Sequence, residues 1–184
     1  YLLQQIIHKC KNKRIHYLKI LSTDTKKIKV ILYLCILSFR FAQNKKSMFD
    51  LHEFLNPVNK AFLNDDKGYN ESQLAGFVKV YEEEMPDMDN IDIVIVGINE
   101  FRGDGLIGDG NAADAVRKQL YQLYFWHKDI SIADVGNIKC GAAIADTYAA
   151  IKTVVRELLQ LNKTVIIIGG SHDNTLAQYY AYKD

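Results

Sequence analysis

The chain has 184 residues, with 23 Lys+Arg against 22 Asp+Glu, so its length suits one domain and its net charge is close to zero. The average hides a split. Residues 1–47 carry eleven Lys or Arg, a single acid (Asp24) and no Gly or Pro, whereas residues 48–184 carry twelve basic and twenty-one acidic residues with every Gly and Pro. An acidic body excludes the basic face that a nucleic-acid binder needs. Three widely spaced cysteines (Cys10, Cys35 and Cys140) form neither a disulfide framework nor a zinc pattern, so a reducing, cytoplasmic compartment is expected.

The chain begins at Tyr1, and its first Met is Met48, close to the change in composition. Residues 1–47 are rich in Ile, Lys, Leu, Tyr, Asn and Phe, which AT-rich DNA encodes in any frame. They read as upstream sequence translated in error, with Met48 as the start, and as no part of the folded domain. Two other readings carry less weight. The apolar run Val30–Phe39 is too short to span a bilayer. As a signal-peptide core it follows an overlong basic region and precedes a poor cleavage site, Phe39-Arg40-Phe41-Ala42. A basic membrane-surface segment is the other alternative.

After Met48, Phe49–Asn59 is a short mixed segment closed by Asn56-Pro57, and Asn64–Gly68 is a polar turn. The spacing of Leu74, Phe77, Val78 and Tyr81 predicts a helix over Ser72–Glu84, ended by Met85-Pro86. Ile91–Val96 is a β-branched buried strand, stopped by Gly97. A Gly-rich loop runs from Asn99 to Asn111. Ala112–Tyr124 is predicted helical, with Ala112, Ala115, Val116, Gln119, Leu120 and Leu123 as its face. A second strand is expected at Asp129–Val135, a long helix at Asp146–Leu161, a third strand at Thr164–Ile168 and a last helix from Asn174 to Tyr182.

Strands alternating with helices predict right-handed βαβ units, a parallel sheet and an α/β fold with helices on both faces. The most apolar strand comes last, although such a strand is expected in the centre of a sheet. The sheet is therefore expected to continue beyond Asp184.

In open α/β sheets, sites form at the carboxyl ends of the strands. Of the three such ends, only Gly169-Gly170-Ser171-His172-Asp173 carries a metal-type side chain. Two glycines permit a tight turn that projects His172 over the sheet edge, where a transition metal could be held. Local spacing alone favours a turn followed by a helix cap at Asp173 or Asn174, because one histidine is not a metal site.

Ile166-Ile167-Ile168-Gly169-Gly170-Ser171-His172-Asp173 resembles the first metal motif of the ureohydrolase (arginase) family, which includes arginase, agmatinase and formimidoylglutamase. The resemblance extends over Met48–Asp184. Ile93–Gly97 is similar to the family's first strand. Gly108, Gly110, Ala112, Ala115 and Arg117 resemble its G-x-G-x-x-x-A-x-x-R pattern, and Asp134-x-Gly136-Asn137 resembles the segment after its second strand. Ser171 stands where Asp is common before the histidine and Asp173 where Ser is common after it, which looks more like the formimidoylglutamase-type branch.

The resemblance implies a three-layer α/β/α fold, here incomplete at the C-terminus, and two Mn²⁺ ions in a complete member. It makes His172 one nitrogen ligand and Asp173 a neighbour that orients its loop. The bridging hydroxide of such a centre attacks the carbon of a guanidino or formimino group. The expected partner is a small amidine or guanidino substrate, with no nucleic acid or membrane and with a homo-oligomer possible for the whole protein. The family's remaining ligands come from Asp-x-His-x-Asp and Asp-x-Asp motifs on later strands, and neither motif is read anywhere in this chain. His127-x-Asp129 imitates half of the first, but it precedes the second strand, so His127 and Trp126 read as packing or surface residues. The chain by itself is accordingly expected to be an inactive fragment.

A different binding class is outlined by Gly103-Asp104-Gly105-Leu106-Ile107-Gly108, a G-x-G-x-x-G between a strand and a helix, with Asp134 in the next strand. Its first Gly lies well past the strand, Gly110 and Asn111 separate it from the helix, and Asp104 and Asp109 would repel a pyrophosphate. A non-catalytic α/β fragment is the third reading.

Overall fold

A computed structural model describes residues 51–65, 67–105, 110–127 and 129–183. The expectations for residues 1–47, for Met48 as the start, and for Gly108 and Asp109 fall outside the described residues.

Five strands form one sheet: β1 (Leu55–Asn56), β2 (Lys79–Val80), β3 (Ile93–Ile98), β4 (Ile132–Ile138) and β5 (Thr164–Gly169). Among the described residues three α-helices accompany them: α1 (Ala112–Leu120), α2 (Ile144–Gln160) and α3 (Asn174–Lys183). β3 lies between β4 and β5 and is parallel to both. The far edge of β4 is shared by β2, parallel beside Ala133–Asp134, and β1, antiparallel beside Asn137–Ile138. The fold is therefore α/β on a mostly parallel sheet with one antiparallel strand.

Side-chain alternation along β3 builds both faces. Val94, Val96 and Ile98 pack with Ile151, Val154, Val155 and Leu158 of α2 and with Ala177 and Ala181 of α3. Ile95 packs on the other face with Ala113 of α1 and with Tyr121 at the helix C-cap. These are the expected three layers.

Four element assignments change. The helix expected over Ser72–Glu84 is a single 3-10 turn, Leu74–Gly76, followed by β2. Gly76 weakens a helix there, and the β4 edge offers the backbone better partners: Tyr81 N–H donates to Asp134 O at 2.8 Å while Tyr81 O accepts from Val58 N–H at 2.8 Å. Gly97 does not stop its strand but lies inside β3. The second strand starts three residues later than expected and runs through Asp134, Gly136 and Asn137 to Ile138. On α1 the buried residues are Ala113 and Arg117, joined by Tyr121 at its C-cap, whereas Val116 and, beyond the helix, Leu123, both expected inside, are 44% and 58% exposed.

β5 has β3 on one side and, among the described residues, no strand on the other. Its exposure follows from that position: Val165 is buried while Ile166 is 42% exposed. α2 matches expectation closely, burying Thr147, Ala150, Ile151, Val154, Val155 and Leu158 at helical spacing.

Candidate functional site at the carboxyl edge of the sheet

The carboxyl ends of β3 and β5 lie side by side, with Ile98 opposite Gly169. Gly169 and Gly170 both adopt left-handed backbone, at φ 81° and 75°. Side chains rarely tolerate that conformation, and a Cβ on Gly169 would also press on Ile98 O at 2.5 Å and Ala113 N at 2.9 Å. The paired glycines turn the chain sharply off β5 and leave His172 exposed between two buried residues, Ser171 and Asn174. His172 is thus where the sequence expected it, at the sheet edge, and its imidazole makes no hydrogen bond among the described residues.

Asp173 is half-buried. Its carboxylate accepts a hydrogen bond from the Tyr148 hydroxyl of α2, and that bond pushes the Tyr148 phenol up to about 12. Gly103 lies against the same carboxylate, too close to carry a Cβ. Asn174 is no ordinary helix cap, since its side chain donates to Glu100 O at 2.9 Å and Ser171 O at 3.0 Å instead of accepting from the first turn of α3.

Two residues that the sequence reading passed over organise the neighbouring loops. Glu100, two residues past β3, is 2% exposed. Its carboxylate accepts from Arg102 Nε at 2.8 Å, Arg102 Nη2 at 2.5 Å and the Thr147 hydroxyl at 2.9 Å. Arg102 also donates to the carbonyls of Gly141 at 2.9 Å and Ala142 at 2.8 Å, tying in the loop that leads to α2. Hydrogen bonding to Arg102 outweighs the effect of burial and holds the Glu100 carboxyl at about 2. A lone acid directly after a buried strand, with Arg two residues on, was the only signal in the sequence.

The two remaining pieces of the resemblance meet on the α1 face. Arg117 and Asp134 are both fully buried and make a two-point ion pair, Nε to Oδ2 and Nη2 to Oδ1, each 2.8 Å. Arg117 Nη1 reaches Asn137 Oδ1 at 2.5 Å and Asp114 Oδ1 at 2.9 Å, and Nη2 reaches Gly136 O at 3.0 Å. The Tyr121 hydroxyl donates to Asp134 at 2.9 Å, and burial beside that carboxylate pushes its phenol up. Gly97 belongs to this arrangement, because a Cβ there would overlap Asn137 Oδ1 and meet Arg117 Nη1 at 2.8 Å. Close backbone approach, not strand termination, explains the glycine.

A family model described as "Arginase: Arginase family" matches residues 91–184, just over half of the chain. The chain belongs to the arginase family. It is similar to a formimidoylglutamase of Lysinibacillus sphaericus (strain C3-41), 31% identical over 80 residues that cover 42% of this chain and 25% of that protein. It is also similar to a formimidoylglutamase of Hahella chejuensis (strain KCTC 2396), 35% identical over 69 residues that cover 38% of this chain and 21% of that protein. The matches thus cover a quarter or less of these curated relatives. Among solved structures, an X-ray crystal structure of a hypothetical agmatinase from Burkholderia thailandensis matches at 18% identity and a TM-score of 0.43, covering 68% of this chain and 43% of that one.

The arginase-family loop after β3 is ill suited to the pyrophosphate of a dinucleotide. Gly103 faces the Asp173 carboxylate, and Gly105, left-handed at φ 72°, closes a 3-10 turn, Arg102–Asp104, well before α1 begins. His127 and Trp126 are exposed, with their rings 4.9 Å apart and Trp126 stacked on Tyr124 at 6.0 Å, a surface cluster as expected. Asp-x-Asp spacing does occur at Asp87-Met88-Asp89, unnoticed in the sequence. It lies ahead of β3, at the opposite end of the sheet from His172, with Met88 buried and Asp87 capping Asp89 N–H at 3.1 Å.

Among the described residues, no group of three His, Cys, Asp or Glu side chains could hold a metal ion. His172 suits a nitrogen ligand, but the donors around it do not complete a two-ion centre.

Proposed function

We propose that this chain carries the first metal-ligand loop of a hydrolase that cleaves a C–N bond of a linear amidine or guanidino compound, of the formimidoylglutamase type. The observation behind this reading is the exposed His172, turned outward by Gly169-Gly170 at the carboxyl edge of an arginase-family sheet. The formimidoylglutamase names of the two curated relatives and the Ser171/Asp173 pair favour that substrate type over arginine or agmatine.

In this reading Mn²⁺ supplies the polarisation of water that makes it a nucleophile near neutral pH. One imidazole does not hold Mn²⁺ tightly, since Mn²⁺ stands lowest in the divalent affinity order and prefers several oxygen ligands. The contribution of this chain is to present His172 and to order the three loops around it. The 184-residue chain by itself is inactive in this reading, and its compartment is cytoplasmic. No helix among the described residues is long and apolar enough to cross a membrane.

Activity assays with arginine, agmatine and formiminoglutamate test the reading. The 184-residue chain should release no urea or formamide with or without Mn²⁺. Joined to a family-type C-terminal half it should become active, and His172→Ala in that longer protein should lower metal content and rate together. Metal-dependent release by the unextended chain would refute the fragment reading. Full activity after His172→Ala would refute the ligand assignment.

A further inference from the structure

We infer that the open edge of β5, together with the exposed face of α3, is the interface through which two copies of this chain pair across a two-fold axis. The inference depends neither on His172 nor on a metal. β5 pairs with β3 in one unbroken register from Thr164 to Gly169, and among the described residues no strand pairs with its other side. Thr164 N–H donates to Asp92 O, just ahead of β3, at 3.0 Å. Backbone alternation therefore turns the N–H and C=O groups of Val165 and Ile167 toward the open edge. Natural sheets blunt such an edge with charge, proline or a bulge. Thr164–Gly169 has none of these.

The charge pattern selects the partner. From Thr164 to Tyr182 the only Asp, Glu, Lys or Arg is Asp173, although such residues make up 24% of the chain. Depletion of charge combined with tyrosine is the composition of an interface core. α3 buries Ala177 and Ala181 in the cluster shared with α2 and leaves Leu176, Tyr179, Tyr180 and Tyr182 outside, each 43–57% exposed. Leu176, Tyr179 and Tyr180 have i, i+3, i+4 spacing and form one stripe. Such a surface offers nothing to a highly charged partner. A second copy presents the same neutral surface, and a net charge of +1 brings little repulsion between copies.

Antiparallel pairing centred on Ile167 of both copies fits this surface. The two Ile167 residues exchange backbone hydrogen bonds across the axis. Ile166, 42% exposed, then lies beside Ile168 of the second copy, and Lys163 lies beside Ser171, so no like charges are opposed. A two-fold axis perpendicular to the sheet keeps each face on its own side. Both α3 helices therefore lie on one face of the joined sheet, where their stripes can meet. Each half-exposed tyrosine contributes on the order of 100 Å² when covered. Three from each copy, with Leu176, Ile166 and the strand edges, reach about the 1,200 Å² of total area that a stable pair needs.

Sedimentation equilibrium on the full 184-residue chain tests the interface. The parent should have twice the chain mass at about 100 μM and dissociate on dilution, with micromolar affinity. Ile166→Lys places a charge at an exposed edge position and should weaken the pair by at least about tenfold. Ile166→Val should pair like the parent. Amide exchange on the parent gives a readout that needs no variant. Val165 and Ile167 N–H should exchange slowly at high concentration and fast on dilution, whereas Ile166 and Ile168 N–H, which face β3, should be slow at both.

A parent chain that stays monomeric at the higher concentration overturns the inference. So does a dimer whose affinity Ile166→Lys leaves unchanged, because its contact then lies on another surface. Val165 and Ile167 amides that are slow at every dilution overturn it as well, since another segment of this chain then covers β5.

Discussion

Arg117 on α1 and Asp134 on β4 form a two-point ion pair in which both side chains have no solvent exposure. The pair joins the loop-to-helix pattern to the segment after the second strand, two stretches that each look weak in the sequence. Removing one member leaves the other charged and buried without compensation, which costs about 3–5 kcal/mol. Arg117→Met should therefore lower the unfolding free energy by that amount in urea denaturation. Replacing both Arg117 and Asp134 with apolar residues should cost less than the sum of the single changes, as a double-mutant cycle would measure.

Gly97→Ala should be unexpectedly damaging for so small a change. The added methyl meets Asn137 and Arg117 inside the same buried network, and overpacking of this kind costs about 1–3 kcal/mol. Gly105→Ala provides the contrast. Its site is spatially open, so only the left-handed backbone resists, and its urea midpoint should shift less than that of Gly97→Ala.

Glu100 makes stability depend on acid. Its folded carboxyl lies at about 2, below the ordinary value of 4.5. A depressed carboxylate contributes stability that is complete above its unfolded value and disappears as pH falls through the folded one. The stability advantage of the parent chain over Glu100→Gln should hold at pH 6, shrink between about pH 4.5 and 2, and vanish below that window. Urea midpoints for both proteins across that range check it; a constant difference would show that Glu100 carries no depressed carboxylate.

Dinucleotides should not bind. Gly103 abuts the Asp173 carboxylate, and Asp104 lies in the same turn. Calorimetric titration with nicotinamide or flavin dinucleotides should give no specific heat. A micromolar dissociation constant, about −8 kcal/mol, weakened by a bulky residue at Gly105, would restore the dinucleotide reading.

The sequence by itself determined the alternation of strand and helix, the positions of β3, α2, β5 and α3, and the placing of His172 at a carboxyl edge. These depend on local quantities: runs of β-branched residues, helical spacing of apolar side chains, and two glycines in succession. Its family motifs were legible for the same reason, being short and contiguous. Tertiary structure alone decided where side chains found distant partners. Ser72–Glu84 has helical spacing, yet its backbone hydrogen-bonds along β4 and forms β2. The buried face of α1 is set by Arg117, because a charged residue enters a core only when a matching carboxylate waits there, and Asp134 lies seventeen residues away. Glu100 escaped notice, and Asn174 was legible only as a cap, because their partners, Thr147 and the Glu100 carbonyl, are 47 and 74 residues distant. Hydrophobic periodicity reports which side faces inward; hydrogen bonds between chain-distant polar groups require the fold to bring both ends together.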